Sequence, residues 1–352
     1  MVRNSILRWL SVSLGLALLV SACGSATNSS AASFKGQTID LISSGGAGST
    51  HDLAARAVAP YLAQYLHATV DVVDKPGGGQ LLAWNYVSQT KPDGLTIGTL
   101  DVQGIMANVW EKVPGQQYGN PANLTMLGGF AGGIGGGAKV MFSSATSGPA
   151  SSIYSLVADH SQKVTELGSV GDVSGPLLFK VYGVPYVDLT SYADSTAELQ
   201  GILRGDGQIS VKTWGGGWAS FVTSGKGKVL LEYSMRPHWG VDASVPTLAT
   251  LFKRDPLSAQ KEAALKADAS GLDAGMAIFG PRGIPAAKTA LLRKAMAWAT
   301  KQPGFIAAAK KAQISQYYES WQAEVAALKA GLKSSTISEM RKYVPLSTGV
   351  AS

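Results

Sequence analysis

The chain has 352 residues, 45% hydrophobic and 15% charged, with a formal net charge of +7 and a sequence pI of about 9.3. That length is too great for one small core and suits two lobes. Four histidines and a single cysteine leave most zinc sites short of ligands and exclude an intramolecular disulfide.

The chain opens MVRNSILRWLSVSLGLALLVSACGSATNSSAAS. Arg3 and Arg8 precede an apolar stretch ending at Val20, and small residues lead to Cys23. This is the pattern of a secretory signal, its apolar region too short for a comfortable membrane span. VSAC (Val20 to Cys23) resembles the bacterial lipoprotein box, in which cleavage leaves the cysteine as the lipid-bearing N-terminus. The expectation is a lipoprotein signal peptide at 1–22, lipidation of Cys23, and a flexible Ser/Ala/Asn-rich tether at 23–35. Ordinary cleavage beside an incidental cysteine is the alternative, and it too exports the chain. Removal of the signal deletes Arg3 and Arg8 and no acid, lowering the formal charge of +7 by two, to +5. The remaining Lys and Arg are dispersed, with no basic run carrying interleaved aromatics. The charge therefore fits anion attraction or an anionic surface, and no nucleic-acid partner is expected.

From Gln37 the pattern alternates. TIDLIS predicts a strand. DLAARAVAPYLAQYL carries Leu53, Ala57, Tyr61 and Tyr65 at helical spacing, with Pro60 expected to kink that helix or end its first part. TVDVVD is a second strand, QLLAWNYVSQT a second helix, and KPDG a turn into the strand LTIGTL. This β-α-β-α-β order implies a parallel sheet with right-handed crossovers. After a loop around Pro114 to Pro121, LTMLGGFAGGIGGGAKVMFSS reads as extended and glycine-rich. A second α/β unit runs from VTELGSVGDVSG through PLLFKVYG to VPYVDLTSYADSTAELQGILRGDGQISVKTW. The strand KVLLEYS, the segment VPTLATLF and the strand and turn GMAIFGPRGIP follow. Helices then dominate from Pro285 to the end.

Two glycine constellations are weighed as phosphate loops. GAGSTH (Gly46 to His51) follows a strand and opens a helix, but places His51 where a dinucleotide fingerprint wants Gly or Ala. GIGGGA (Gly133 to Ala138) fits the loose spacing but leads into a strand. No glycine loop ends in the Gly-Lys-Ser/Thr of a phosphate-binding loop. GDVSG (Gly171 to Gly175) places Ser174 one position late for a nucleophile elbow. None of His51, His67, His160 and His238 has a local partner pattern for catalysis, and only His51 lies in a candidate loop. No cofactor and no metal are expected.

Bare backbone ahead of a helix admits close approach of a ligand, and the unsatisfied N–H groups of the first helical turn attract anions. Ser43, Ser44, Gly45, Gly46, Ser49, Thr50 and Asp52 therefore form a candidate cradle for a small carboxylate, Gly46 being expected at positive φ. A capped helix after a flexible loop, with Thr50 as N-cap, is the alternative.

The ordered set Gly45, Gly46, Asp52, Ala55, Arg56, then KPGGG (Lys75 to Gly79) and PDGLT (Pro92 to Thr96), resembles the TctC or Bug-type solute receptors of tripartite tricarboxylate transporters. GVPYVDLTSYADSTAELQGILRGDGQ, VPTLATLF and FGPRGIP resemble later stretches of that family in the right order. The resemblance implies an α/β, two-lobed, hinged periplasmic-binding-protein fold of the Venus-flytrap type, each lobe a mainly parallel sheet flanked by helices. It implies a first lobe at 36–140, a second at 141–228, and 229–352 as the return crossover and first-lobe C-terminal helices. Carried over, the ligand loops are Ser43 to Asp52, the strand end at Asp101, Gly171, Asp172 and Ser174, Tyr192, Asp194 and Ser195, and Trp214. The sequence departs from the family pattern in the spacing from Gly46 to Asp52, at Asp74, and at Ala193-Asp194. The partners implied are a small carboxylate, the membrane permease subunits of such a transporter, and the membrane through the lipid anchor. A secreted serine hydrolase and a lipoprotein sensor of an organic acid are the alternatives.

Overall fold

The computed structural model describes residues 33–131, 139–168, 172–192, 195–214, 216–235, 237, 241–312 and 314–344. The signal, Cys23 and the tether up to Ala32 lie outside the described residues, as do Gly133 to Ala138, Gly171, Asp194 and His238.

The strands are β1 (Thr38–Ser43), β2 (Thr69–Asp74), β3 (Thr96–Asp101), β4 (Thr125–Phe130), β5 (Lys139–Ser144), β6 (Val164–Leu167), β7 (Tyr186–Leu189), β8 (Ile209–Thr213), β9 (Gly227–Glu232), β10 (Met276–Gly280) and β11 (Tyr318–Glu319). The helices are α1 (Thr50–Leu66), α2 (Leu81–Gln89), α3 (Val102–Glu111), α4 (Ile153–Ala158), α5 (Ser174–Tyr182), α6 (Ser195–Arg204), α7 (Gly216–Thr223), α8 (Leu248–Arg254), α9 (Ala259–Ala274), α10 (Ala286–Ala299), α11 (Pro303–Ala312), α12 (Trp321–Gly331) and α13 (Ser334–Met340).

Two sheets result. The first has the order β11-β4-β10-β3-β1-β2 and the second β7-β6-β8-β5-β9. β1, β2 and β3 are parallel, as are β6, β7 and β8, each set being joined by helical crossovers. β10 runs antiparallel to β3 and β4, and β5 antiparallel to β8 and β9. The register explains why. Met276 begins β10 opposite Asp101, the end of β3, and Lys139 begins β5 opposite Thr213, the end of β8. Each of these strands enters its sheet from the edge at which the parallel strands finish. The second sheet draws on 139–232, so the expected boundaries at 140/141 and 228/229 fall inside β5 and β9.

The cores follow from burial. Phe34, Leu41, Val58, Leu62, Met296 and Phe305 close one side of the first sheet, and Phe142, Leu167, Trp218 and Phe221 one side of the second. A third cluster passes from Trp84, Met106 and Trp110 of the first lobe through Leu265 of α9 to Leu177 and Phe179 of α5. The lobes therefore share apolar surface through α9. Among the described residues no helix is long and apolar enough to cross a membrane.

Two local expectations are corrected. α1 continues through Pro60 to Leu66; Pro60 is exposed, so the carbonyl its ring leaves without a partner can turn to water. The N-cap is Ser49 rather than Thr50, its side chain accepting from Asp52 N at 3.2 Å. α3, α4, α7 and α9 have no counterpart among the expected elements; α3 follows β3 without a loop, capped by Asp101.

Candidate functional site

The loop between β1 and α1 is fixed from both sides. Ser43 Oγ donates to the Gly45 carbonyl at 2.8 Å. The Ser44 amide donates to Thr99 Oγ1 at 2.9 Å, and its hydroxyl donates to Gln80 Oε1 at 2.8 Å. Ser44 Oγ and Thr99 Oγ1 are 3.0 Å apart; with the Ser44 proton committed to Gln80, Thr99 is the donor of that pair. The loop is thus tied to β3 and to the turn before α2. In that turn Gly77, Gly78, Gly79 and Gln80 all have positive φ, a backbone path that glycine alone takes without strain. This is the reason for the KPGGG run.

Asp52 faces its own loop. Oδ2 accepts from the Gly48 amide at 2.8 Å, and Oδ1 pairs with Arg56 Nε at 2.5 Å. Arg56 Nη2 reaches Asp74 at 3.1 Å, clamping α1 to the end of β2. Gly46 is not at positive φ, contrary to expectation; Gly48 is, at +79°. The restricted glycine is Gly45, where a Cβ would lie 2.2 Å from Ser49 Oγ. Gly46 and Thr50 are left on the loop surface, half-buried and exposed respectively.

Asp101 accepts from the Gly104 amide at 3.0 Å as the cap of α3. Two residues on, Gln103 Nε2 donates to Asp268 Oδ1 at 2.7 Å, while Ser174 Oγ donates to Asp268 Oδ2 at 2.8 Å. Asp268 is fully buried on α9, and burial raises its pKa. One carboxylate therefore joins α3 of the first lobe, α5 of the second and the crossover helix. The Ser174 hydroxyl is used in this joint, and it donates to a carboxylate rather than to a histidine.

The second-lobe residues divide. Asp172 is paired with Lys212 and is 3.9 Å from Lys139, and Lys212 also reaches Glu198 at 2.7 Å. Tyr192 is turned along α6, its hydroxyl donating to Asp206 at 2.8 Å. Ser195 Oγ accepts from Trp218 Nε1 at 2.7 Å. Trp214 stacks on Phe142, with ring centroids 6.0 Å apart. Asp101 and Ser174 are linked through Gln103 and Asp268, and His51 of the 43–52 loop is within electrostatic reach of Asp101 and of Lys139, itself 3.9 Å from Asp172. Tyr192, Ser195 and Trp214 make their contacts within the second lobe.

Sequence reasoning missed an acidic group at the same boundary. Glu111, at the end of α3, has its pKa pushed up to about 8 by burial, with the Asp172 and Asp188 charges adding to the rise. Asp188 is pushed up to about 6 by burial and by Asp172. Glu166, register partner of Asp188, is raised well above the carboxylate range by burial. No motif announces these residues, because Glu111 belongs to a different lobe from the other two.

No family model matches the sequence, and no curated protein does so. Solved structures do match. A TctC solute-binding protein from Polaromonas, without ligand, is 18% identical with a TM-score of 0.63, over 87% of this chain and 98% of that one. MatC from Rhodopseudomonas palustris with bound malate is 18% identical with a TM-score of 0.61, over 87% and 98%. An R. palustris protein with adipate is 16% identical with a TM-score of 0.65, over 88% and 99%. The chain has the two-lobed fold of these proteins.

Proposed function

We propose that this protein is an extracytoplasmic solute receptor. It binds a small carboxylate, a di- or tricarboxylate or related organic acid, between its lobes. It delivers that solute to the permease subunits of a tripartite tricarboxylate-type transporter, and it is held at the outer side of the cell membrane by lipid on Cys23. The observation that carries this reading is the position of the α1 N-terminus. Its glycine loop is braced by Thr99 and Gln80 and follows the carboxyl end of β1, the end of the strands at which open α/β sheets bind ligands. Helix N-termini favour anions without a charged clamp. Two structures of the same fold hold malate and adipate, which supports the choice of ligand class.

The serine hydrolase alternative loses support from the Ser174 contact, since a nucleophile needs its proton taken by a base such as histidine. The receptor reading predicts stoichiometric binding without turnover. A thermal-shift screen of the purified protein against a carboxylate library tests it. Ligand at about 100 times its dissociation constant stabilises by roughly 2.7 kcal/mol. A library with no stabilising acid would refute the reading.

A further inference from the structure

One side chain in the loop has a polar atom with no structural use. His51 is the second residue of α1, and its Nε2 is shut off from solvent with no hydrogen-bond partner. Buried polar atoms are nearly always paired, so an orphan calls for an explanation. The other described histidines differ: His67 is exposed at the end of α1, and His160 Nε2 lies 3.0 Å from the Val157 carbonyl.

The charged groups facing His51 come from both lobes. Asp101 ends β3, and Lys139 begins β5, itself 3.9 Å from Asp172. On its own helix, Asp52 is committed to the Gly48 amide and to Arg56. Burial lowers the His51 pKa from the ordinary 6.5, Asp101 pulls it back up, and Lys139 lowers it further. The free N–H groups of the first turn of α1 also disfavour a cation there. Burial thus favours the neutral ring in the free protein, within electrostatic reach of a lysine of the second sheet.

We propose that His51 Nε2 contacts a carboxylate oxygen of the ligand, and that the imidazole takes up one proton from solvent as that anion binds. The inference rests on the carboxylate-receptor reading and adds to it a side chain that selects by charge. An anion at hydrogen-bond distance favours the charged imidazolium. Binding and protonation then reinforce each other. Affinity should fall as pH rises between the His51 midpoint in the free protein and its higher midpoint in the complex. The backbone N–H groups of the loop cannot produce such a dependence, because they do not titrate.

Imidazole NMR titration tests this, with malate, adipate and acetate as probes and the His51 signal assigned by its absence from His51→Gln. In the free protein the His51 midpoint should lie below 6.5, and a bound acid should raise it by about one pH unit or more. Calorimetry at pH 6.5 should give a binding enthalpy that changes with the ionisation enthalpy of the buffer. His51→Gln keeps an N–H donor; it should bind roughly tenfold more weakly, the loss of a charge-assisted bond, with no buffer dependence. An acid that binds parent and His51→Gln alike, without proton uptake, overturns the role of His51 and leaves the receptor reading standing. A free-protein midpoint at or above 6.5 overturns it whatever the ligand. If neither these acids nor any in the wider carboxylate screen binds, the receptor reading falls and this inference with it.

Discussion

Ser174 Oγ donates to Asp268 Oδ2 at 2.8 Å, and the opposite oxygen of that carboxylate accepts from Gln103 at 2.7 Å. Ser174 and Gln103 lie in the first turns of helices of different lobes, so both lobes are held to α9 by one buried group. Asp268→Ala strands two buried donors, each costing about 1–3 kcal/mol. Urea denaturation should show a loss of roughly 2–6 kcal/mol for Asp268→Ala, and about 1 kcal/mol for Ser174→Ala. Equal and negligible losses would mean that water replaces the joint at no cost.

Carboxyls across the lobe boundary make stability depend on pH. Glu111 rises from 4.5 to about 8 and Asp188 from 3.8 to about 6 on folding. With raised pKa values the folded state holds more protons than the unfolded state, so stability declines as pH rises through this range. The contribution is complete below about pH 4 and is lost from Asp188 by pH 6 and from Glu111 by pH 8. A tenfold change in proton affinity corresponds to about 1.4 kcal/mol, so even part of the Glu111 rise is measurable. Tm should be higher at pH 5 than at pH 8, and Glu111→Gln should flatten the difference. A parent protein equally stable at both values would contradict this.

The early elements are legible because their signals are local. TIDLIS, TVDVVD and LTIGTL are short apolar runs bounded by turn residues, and each is a strand. KPGGG is legible in the sequence only through the family resemblance, and the structure supplies its physical reason, three consecutive glycines at positive φ. The joint at Asp268 is not legible. α9 is alanine-rich and places Asp268 among Ala264, Leu265, Ala269 and Leu272, all buried. A carboxylate inside an apolar stripe reads as a break in the pattern until its partners, 165 and 94 residues away in sequence, are known. The Tyr192 hydroxyl donates to Asp206 and the Ser195 hydroxyl accepts from Trp218, contacts that sequence position, which shows the loop and not the side-chain partner, does not reveal.

Anchoring gives a prediction independent of the cleft. Cys23→Ser should release the protein from the membrane fraction, because a single remaining interaction with lipid is marginal where two acyl chains are stable. Fractionation after signal cleavage reads the outcome. A Cys23→Ser protein that is cleaved and still membrane-bound would remove lipidation from the account.

The glycines of the first-lobe loop separate folding from binding. At Gly45 a Cβ would lie 2.2 Å from Ser49 Oγ and 2.9 Å from Ser49 Cβ, so Gly45→Ala must displace the helix cap. Loss of such a cap costs about 0.5–2 kcal/mol, and the loop that presents the N–H groups shifts with it. At Gly46 the nearest atoms to a Cβ are those of the Pro76 ring, 3.9 Å away, and φ is not in the left-handed region. Gly46→Val should therefore fold with stability within about 0.5 kcal/mol of the parent. Its branched side chain still occupies the space over the loop through which a carboxylate would reach the backbone. Calorimetric titration with the acid found in the screen should give weaker binding for both variants, about tenfold or more for Gly46→Val, which is one lost charge-assisted contact. Thermal melts of the unliganded proteins should lower only Gly45→Ala. If Gly46→Val folds and binds like the parent, the ligand does not rest on the α1 N-terminus, and the cradle must be sought on the second lobe.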